Sequence, residues 1–343
     1  MKAIIRADGS PAIGMGHVMR CLTLAGELEL AGADVLFLSR NFSEGVARTV
    51  QSAGIALVST SSALTPVEDL DATIRAARSF KAGTVIADGY LFDEAYFNGI
   101  IGAGLRLVII DDLADRPMPA DLLLNQNVDA TPERYAGLVR PDTKLLLGTR
   151  YCLVRKEFRA RRKIGRVTRK DVREVIVTLG GSDPDNHSLK AIRAIESVDA
   201  DFNVTLVLGA ANPNIAAVRS FVASSVKREV RVVVGAGNMA DLIGRADLGI
   251  TASGTTSYET ACLGLPTITV SIAENQEGVA RMMGEMGVSV YLGRAPEVDE
   301  SAIRAAFVSL LKDTPGRSGM SGKGMSLIDG DGAMRVAEEV LVL

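Results

Sequence analysis

Short apolar runs recur along the chain, and most are apolar at successive rather than alternate positions: 3–6, 35–38, 84–87, 107–110, 122–124, 145–147, 175–179, 204–208, 230–234, 248–251 and 267–271. A strand that is apolar on both faces is buried on both faces, as in a parallel sheet covered by helices. Between the runs lie stretches of helical period, among them 18–30, 46–53, 188–195, 215–222 and 278–286. Alternation of this kind predicts an α/β architecture.

The pattern breaks once, near the middle. Residues 156–173, KEFRARRKIGRVTRKDVR, hold nine basic and two acidic side chains and few apolar ones. This stretch reads as a solvated linker between an N-terminal domain, 1–155, and a C-terminal domain, 174–315. The remainder, 316–343, reads as a Gly/Ser-rich loop over 316–324 followed by a helix with Val336, Val340 and Leu343 on one face, able to pack on either half. At 343 residues the chain suits two domains, each with its own core, and a cleft between domains is the default place for a site.

Charge and composition narrow the chemistry. With 38 basic and 41 acidic side chains the net charge is -3, which offers no general attraction for nucleic acid or an anionic membrane. Cys21, Cys152 and Cys262 are far apart, without metal-like spacing or an even count for pairing, which points to a reducing compartment. No run reaches the roughly 18 apolar residues of a membrane span, and the amino terminus has no signal-peptide pattern, so a cytoplasmic protein is expected; a monomer is the expected oligomeric state.

Candidate chemistry collects where strands end. The first strand runs into Ala7-Asp8-Gly9-Ser10-Pro11-Ala12-Ile13-Gly14-Met15-Gly16-His17, a glycine-rich loop before a helix. Glycines permit close backbone approach and positive φ, and amides at a helix start attract anions. A dinucleotide fingerprint would need glycine where Met19 stands. His17, one of two histidines, reads equally as a neutral general base or as a residue capping its turn. His187 follows GGSDPDN and reads as a solvated surface position, in a loop whose Gly181 and Ser182 suit a phosphate. A second helix start carries Ser253, Gly254, Thr255, Thr256 and Ser257, with Glu259 placed for ribose hydroxyls or for dipole compensation. Glu274, Asn275 and Gln276 end the next strand. Asp88 either orients a base or caps the following helix, and Asp111 and Asp112 point to opposite sides of an extended chain, so no metal is expected.

Several segments together resemble a known family: IRADGSPAIGMGHVMRCLTLA at 5–25, DLLLNQN at 121–127, LLLGTRYCLVRKEF at 145–158, VTLGGSDPDN at 177–186, the stretch 238–276 ending in ENQ, and DGDGAMRV at 329–336. They resemble the UDP-sugar hydrolases of the pseudaminic acid pathway, close to the spore-coat polysaccharide group. The resemblance implies a GT-B architecture, two Rossmann-like domains facing across a cleft. It implies removal of UDP from UDP-2,4-diacetamido-2,4,6-trideoxy-β-L-altropyranose on the way to surface glycans or flagellin, and the reaction expected is direct water attack at C1 with inversion, without a cofactor. It places the catalytic residues at His17, Tyr90 and Asn275 and the ribose ligand at Glu259. Asp8, Gly14, Gly16, Gly181, Ser182, Met239, Ser253, Gly254, Thr255, Thr256, Ser257, Glu274 and Gln276 complete the expected substrate contacts. Relatives commonly read Asp-His-Tyr where this chain has Asp88-Gly89-Tyr90, which bears on the sugar accepted. The alternatives are a glycosyltransferase with a UDP-amino-sugar donor, a UDP-eliminating epimerase and a non-catalytic sugar-nucleotide sensor.

Overall fold

The computed structural model describes residues 1–9, 15–40, 44–61, 63–224 and 228–343. They form two compact units, Met1–Arg155 with Asp331–Leu343, and Lys156–Gly330. The first unit holds β1 (Lys2–Ala7), β2 (Asp34–Arg40), β3 (Ala56–Thr60), β4 (Thr84–Asp88), β5 (Arg106–Ile110), β6 (Leu122–Asn125) and β7 (Lys144–Leu147). Its sheet is parallel, in the order β3-β2-β1-β4-β5-β6-β7. The helices are α1 (Gly16–Leu30), α2 (Glu44–Ser52), α3 (Pro66–Phe80) and α4 (Glu94–Gly102), with α13 (Gly332–Leu341) returning at the end of the chain.

The second unit holds β8 (Glu174–Thr178), β9 (Asn203–Leu208), β10 (Val230–Val234), β11 (Leu248–Ala252), β12 (Thr267–Ser271) and β13 (Val290–Arg294), parallel in the order β10-β9-β8-β11-β12-β13. Its helices are α5 (Lys156–Arg162), α6 (His187–Glu196), α7 (Ile215–Ser224), α8 (Met239–Arg245), α9 (Thr255–Cys262), α10 (Glu277–Glu285), α11 (Glu300–Lys312) and α12 (Thr314–Leu327). Both sheets reverse their order beside their first strand, and ligands of open α/β sheets bind outside the strand carboxyl ends at such a point.

Each apolar run of the sequence becomes a strand, and two further strands, β3 and β13, escape the pattern. Both are partly exposed and are broken by polar or glycine positions, Ser59 and Thr60 in β3 and Gly293 and Arg294 in β13, so they lack a continuous apolar run, which the edge strands β7 and β10 keep. Helices cover both faces of the first sheet. Val18, Cys21, Leu24 and Leu28 of α1 pack with Val336 and Val340 of α13 on one face, and Phe97 and Ile100 of α4 lie in the core on the other.

Two expectations are corrected here. The basic stretch is not simply a solvated linker, because its first residues form α5 and its arginines are built into the second unit. Arg161 donates to Gly244 O at 2.9 Å, Arg162 to Cys262 O and Met325 O at 2.7 Å each, and Arg166 to Ile243 O at 2.7 Å and Leu263 O at 2.6 Å. These carbonyls end helices α8, α9 and α12, which have no intrahelical donor left for them, and a cation there also meets the negative dipole end. Burial among them pushes the Arg166 guanidinium down to about 10.

The Gly/Ser-rich stretch is likewise helical. Asp313 caps α12 through the Gly316 N–H at 2.8 Å, and the buried Arg317 donates to Leu311 O, Arg169 O and Lys170 O at 2.7–3.0 Å. A Cβ on Gly324 would stand 3.0 Å from Ala261 O and 3.1 Å from its Cα, so glycine lets α12 lie directly on α9. Each interior glycine costs a helix about 1 kcal/mol relative to alanine, and packing offsets that cost where propensity favours a loop.

Candidate functional site

In the first unit, the carboxyl ends of β4, β5 and β6 bring Asp88–Tyr90, Asp111–Asp112 and Asn125–Asn127 toward the start of α1. His17 lies in the first turn of that helix and is buried, 7% exposed. Its Nδ1 stands 2.7 Å from Asp88 Oδ1. Burial alone would raise the Asp88 carboxyl, but the charges and hydrogen bonds of Arg20 and His17 hold it well below the usual carboxylate range. An ionised Asp88 only accepts, so Nδ1 carries the proton and donates it. In the neutral ring Nε2 then keeps the lone pair, the arrangement a general base requires. The Tyr90 ring meets the His17 ring edge-on, with centroids 4.8 Å apart and planes at 81°.

Asp88 therefore orients the imidazole and does not cap α4. That cap is Asp93, which accepts from Tyr96 N at 2.8 Å. Three residues of α1 at helical spacing converge on the Asp88 carboxylate. His17 and Arg20 Nη2 reach Oδ1, the latter at 2.6 Å, while Arg20 Nε at 2.7 Å and Cys21 Sγ at 3.3 Å reach Oδ2. Arg20 Nη1 continues to Asp112 Oδ1 at 2.7 Å. Asp112 also accepts from Asn127 Nδ2 at 3.1 Å and, through Oδ2, from the Tyr90 hydroxyl at 3.0 Å. Burial pushes Asp112 up, and Arg20 outweighs it, leaving the carboxyl depressed. Asp111 turns the other way and accepts from Tyr135 OH at 2.8 Å.

Arg20, Asp112 and Asn127 were not singled out by the sequence reading as parts of this site. The available signal was the i, i+3 spacing of His17 and Arg20, which places them on one face of a helix. Gly89 has φ +156°, a Cβ there would stand 3.2 Å from the Phe92 ring, and its carbonyl accepts from Arg116 Nη2 at 3.2 Å.

The other expected residues of the first loop behave differently. Asp8 is occupied: it takes two bonds from the buried Arg6 at 2.7 and 2.9 Å, one from Ser39 Oγ at 2.9 Å and one from Arg40 N at 2.7 Å. Its carboxylate clasps β1 to β2, which uses the groups a substrate contact would need. Gly16 is the first residue of α1, with a helical backbone rather than a positive φ. Gly14 lies outside the described residues.

In the second unit the two candidate anion loops differ. Gly180 has φ +91°, Gly181 is exposed and Ser182 half-buried. A Cβ on Gly209 would overlap the Gly181 carbonyl, a close approach between neighbouring strand ends. The start of α6 is already capped. Asp183 accepts from His187 N at 2.8 Å and Ser188 N at 2.9 Å, so those amides and that dipole end are answered by a protein carboxylate. His187 is not a solvated surface residue, being only 8% exposed, and burial and Lys190 lower its tendency to protonate.

The start of α9 has no such cap. Gly254 is its N-cap residue, no side-chain hydrogen bond caps it among the described residues, and no acidic residue lies in its first turn. Thr255 and Thr256 are half-buried beside those amides. Ser253 and Ser257 are buried, and their hydroxyls turn to Val270 O at 3.2 Å and Ala252 O at 3.5 Å. Glu259 is 9% exposed. The Gln276 amide nitrogen is 3.4 Å from the position of a Cβ on Gly254, and its Oε1 accepts from Ile272 N at 3.1 Å. Glu274 and Asn275 are exposed in the turn before α10, and Met239, half-buried, opens α8 behind the Asn238 cap.

No family model matches the chain. Three relatives do. An uncharacterised protein of Methanocaldococcus jannaschii is 27% identical over 277 residues, 78% of this chain and 55% of that protein. The spore coat polysaccharide biosynthesis protein SpsG of Bacillus subtilis is 30% identical over 200 residues, 58% of each chain. The chain thus spans little more than half the length of these two. UDP-2,4-diacetamido-2,4,6-trideoxy-β-L-altropyranose hydrolase of Campylobacter jejuni is 25% identical over 293 residues, 84% of this chain and 98% of that one.

Among solved structures, Acinetobacter baumannii MurG covers all of both chains at 14% identity with a TM-score of 0.73. The UDP-GlcNAc 2-epimerase of Neisseria meningitidis, bound to UDP-GlcNAc, does so at 13% identity and 0.66. The chain has the GT-B glycosyltransferase fold and is similar in sequence to the C. jejuni hydrolase and to SpsG.

Proposed function

We propose that this chain hydrolyses a UDP-linked diacetamido-trideoxy sugar, UDP-2,4-diacetamido-2,4,6-trideoxy-β-L-altropyranose, to UDP and the free sugar, by attack of water at C1 with inversion. The observation that carries the reading is the 2.7 Å contact of His17 Nδ1 with the ionised Asp88, which leaves Nε2 as a base. His17 Nε2 takes a proton from the water as its oxygen forms the new bond to C1. The C1–O bond to UDP breaks with its electron pair. UDP is a good leaving group without protonation, so one base suffices where ordinary glycosidases use a carboxylate pair. General-base catalysis contributes about 10²–10⁴-fold, and fixed geometry and leaving-group stabilisation supply the remainder.

The open start of α9 is the better of the two anion loops for the diphosphate, since α6 is capped by Asp183. Glu259 binds the ribose hydroxyls, with Gly181, Ser182, Met239, Thr255, Thr256 and Gln276 completing the nucleotide contacts. Tyr90 and Asn275 orient the sugar. The hydrolase name of the C. jejuni relative supports this substrate.

The fold is shared with the spinosyn rhamnosyltransferase SpnG, and a transferase is the competing reading. Incubating the protein with the UDP-altropyranose donor and no acceptor, and following UDP and the anomeric proton by NMR, separates them. Hydrolysis gives UDP and first the inverted anomer. Release of UDP only when an alcohol is added identifies a transferase, and solvent deuterium at C2 identifies an epimerase.

A further inference from the structure

The proposed base accounts for His17 but not for the buried cation beside it. Arg20 is nine-tenths buried on the same face of α1. Its guanidinium forks onto both oxygens of Asp88 at 2.6 and 2.7 Å, reaches Asp112 at 2.7 Å and comes within 3.1 Å of His17 Nδ1. Two donors cannot share a hydrogen bond, so the last distance is a close approach of a positive group to the ring. The groups facing His17 are Asp88 from β4, Asp112 after β5, Tyr90 from the loop after β4, and Arg20 and Cys21 from its own helix. Two carboxylates and one guanidinium therefore surround an imidazole whose use as a base requires it to be neutral.

An unopposed carboxylate at hydrogen-bond distance stabilises imidazolium. We propose that Arg20 is a positioning residue that holds Asp88 against His17 and, by offsetting one of the two carboxylate charges, limits how far they favour imidazolium, while its second arm fixes Asp112 and with it Tyr90. This rests on the reading of His17 as the base. A bidentate guanidinium suits the task because it locks the carboxylate plane and stays charged at every working pH. The same residue thus orients the partners of both rings, with the two carboxylates delivered by different strands.

The test reads the ring rather than the reaction. The chain has two histidines, so NMR of the full-length protein labelled with 15N-histidine resolves His17 once His187→Gln assigns the other. Arg20→Gln is expected to move the His17 ring titration to higher pH, and the acid limb of kcat/KM for UDP release with it. Arg20→Lys, which keeps the charge, is expected to move it less. Asp112→Asn, nearly isosteric, is expected to move it to lower pH. Arg20→Gln combined with Asp112→Asn, which leaves no second carboxylate without its cation, keeps the test open if Arg20→Gln does not fold, since it should titrate at higher pH than Asp112→Asn alone. An unchanged titration in Arg20→Gln or in Asp112→Asn, or an equal shift in the Lys and Gln variants, overturns the assignment. If the wild-type protein releases no UDP from the altropyranose donor, the functional reading fails while the ring titration still decides the role of Arg20.

Discussion

The two units place their candidate groups at the same topological position, outside the strand carboxyl ends, yet build them from opposite materials. In the first unit the groups are charged, buried and matched: Asp88 and Asp112 share Arg20, and His17 hangs on Asp88. In the second, the open start of α9 offers backbone amides and hydroxyls, with one carboxylate at Glu259. Paired buried charges fix a side chain's angle and protonation, which proton transfer demands. Amides and a helix dipole hold an anion without any matched cation, which suits binding a diphosphate. The nearly balanced charge of the chain is consistent with this division, since the anion needs no global positive excess.

The largest effect tests whether chemistry belongs to the first unit alone. His17→Ala should lower kcat for UDP release by about 10²–10⁴-fold with UDP affinity by calorimetry unchanged; near-normal turnover would falsify the assignment of the base. Asp88→Asn keeps the shape but loses the charge that selects the tautomer, and a loss of about 10²-fold in kcat is expected.

Asp88 also carries a pH signature. Asp8, Asp88 and Asp112 have native values below their unfolded ones, so the unfolded chain binds more protons across the ordinary carboxylate range near 4. Their stabilisation is complete above that range and is lost as pH falls through the depressed native values. Urea midpoints measured between pH 7 and pH 3 should fall for the wild type and fall less for Asp88→Asn.

A third measurement separates structure from chemistry in the second unit. Arg166→Met strips the donors from three helix-end carbonyls and should cost about 2–3 kcal/mol in unfolding free energy, with kcat at low temperature unchanged. The smallest effect sharpens the binding side. Glu259→Gln should weaken UDP about tenfold, close to 1.4 kcal/mol, and leave kcat nearly intact; a drop in kcat with unchanged affinity would move Glu259 to the chemical half of the comparison.

Much of this was legible in the sequence where local physics decides. Strands with a continuous apolar run declare themselves, even the edge strands β7 and β10, whereas β3 and β13, broken by Ser59, Thr60, Gly293 and Arg294, do not. The helix of 314–327 was hidden by its glycines, which local propensity reads as a loop and close packing on α9 turns into an asset. The arginines of 156–166 looked solvated because nothing in their spacing announces the helix ends 77 to 163 residues later that accept them. Asp8 looked like a ligand until β2 supplied Ser39 and Arg40 to occupy it.

The sequence by itself determined the α/β class, the interior strands, the loops at their carboxyl ends and the presence of one histidine at a glycine-rich helix start. Only the tertiary structure decided what that histidine faces. His17 and Asp88 are 71 residues apart, and Asp112 lies 92 beyond Arg20. They meet because β4 pairs beside β1, with β5 next to β4, a strand order that no local spacing encodes. Propensity and burial act within a few turns of the chain, while the charge around a catalytic group is set by whichever strands the core places next to one another.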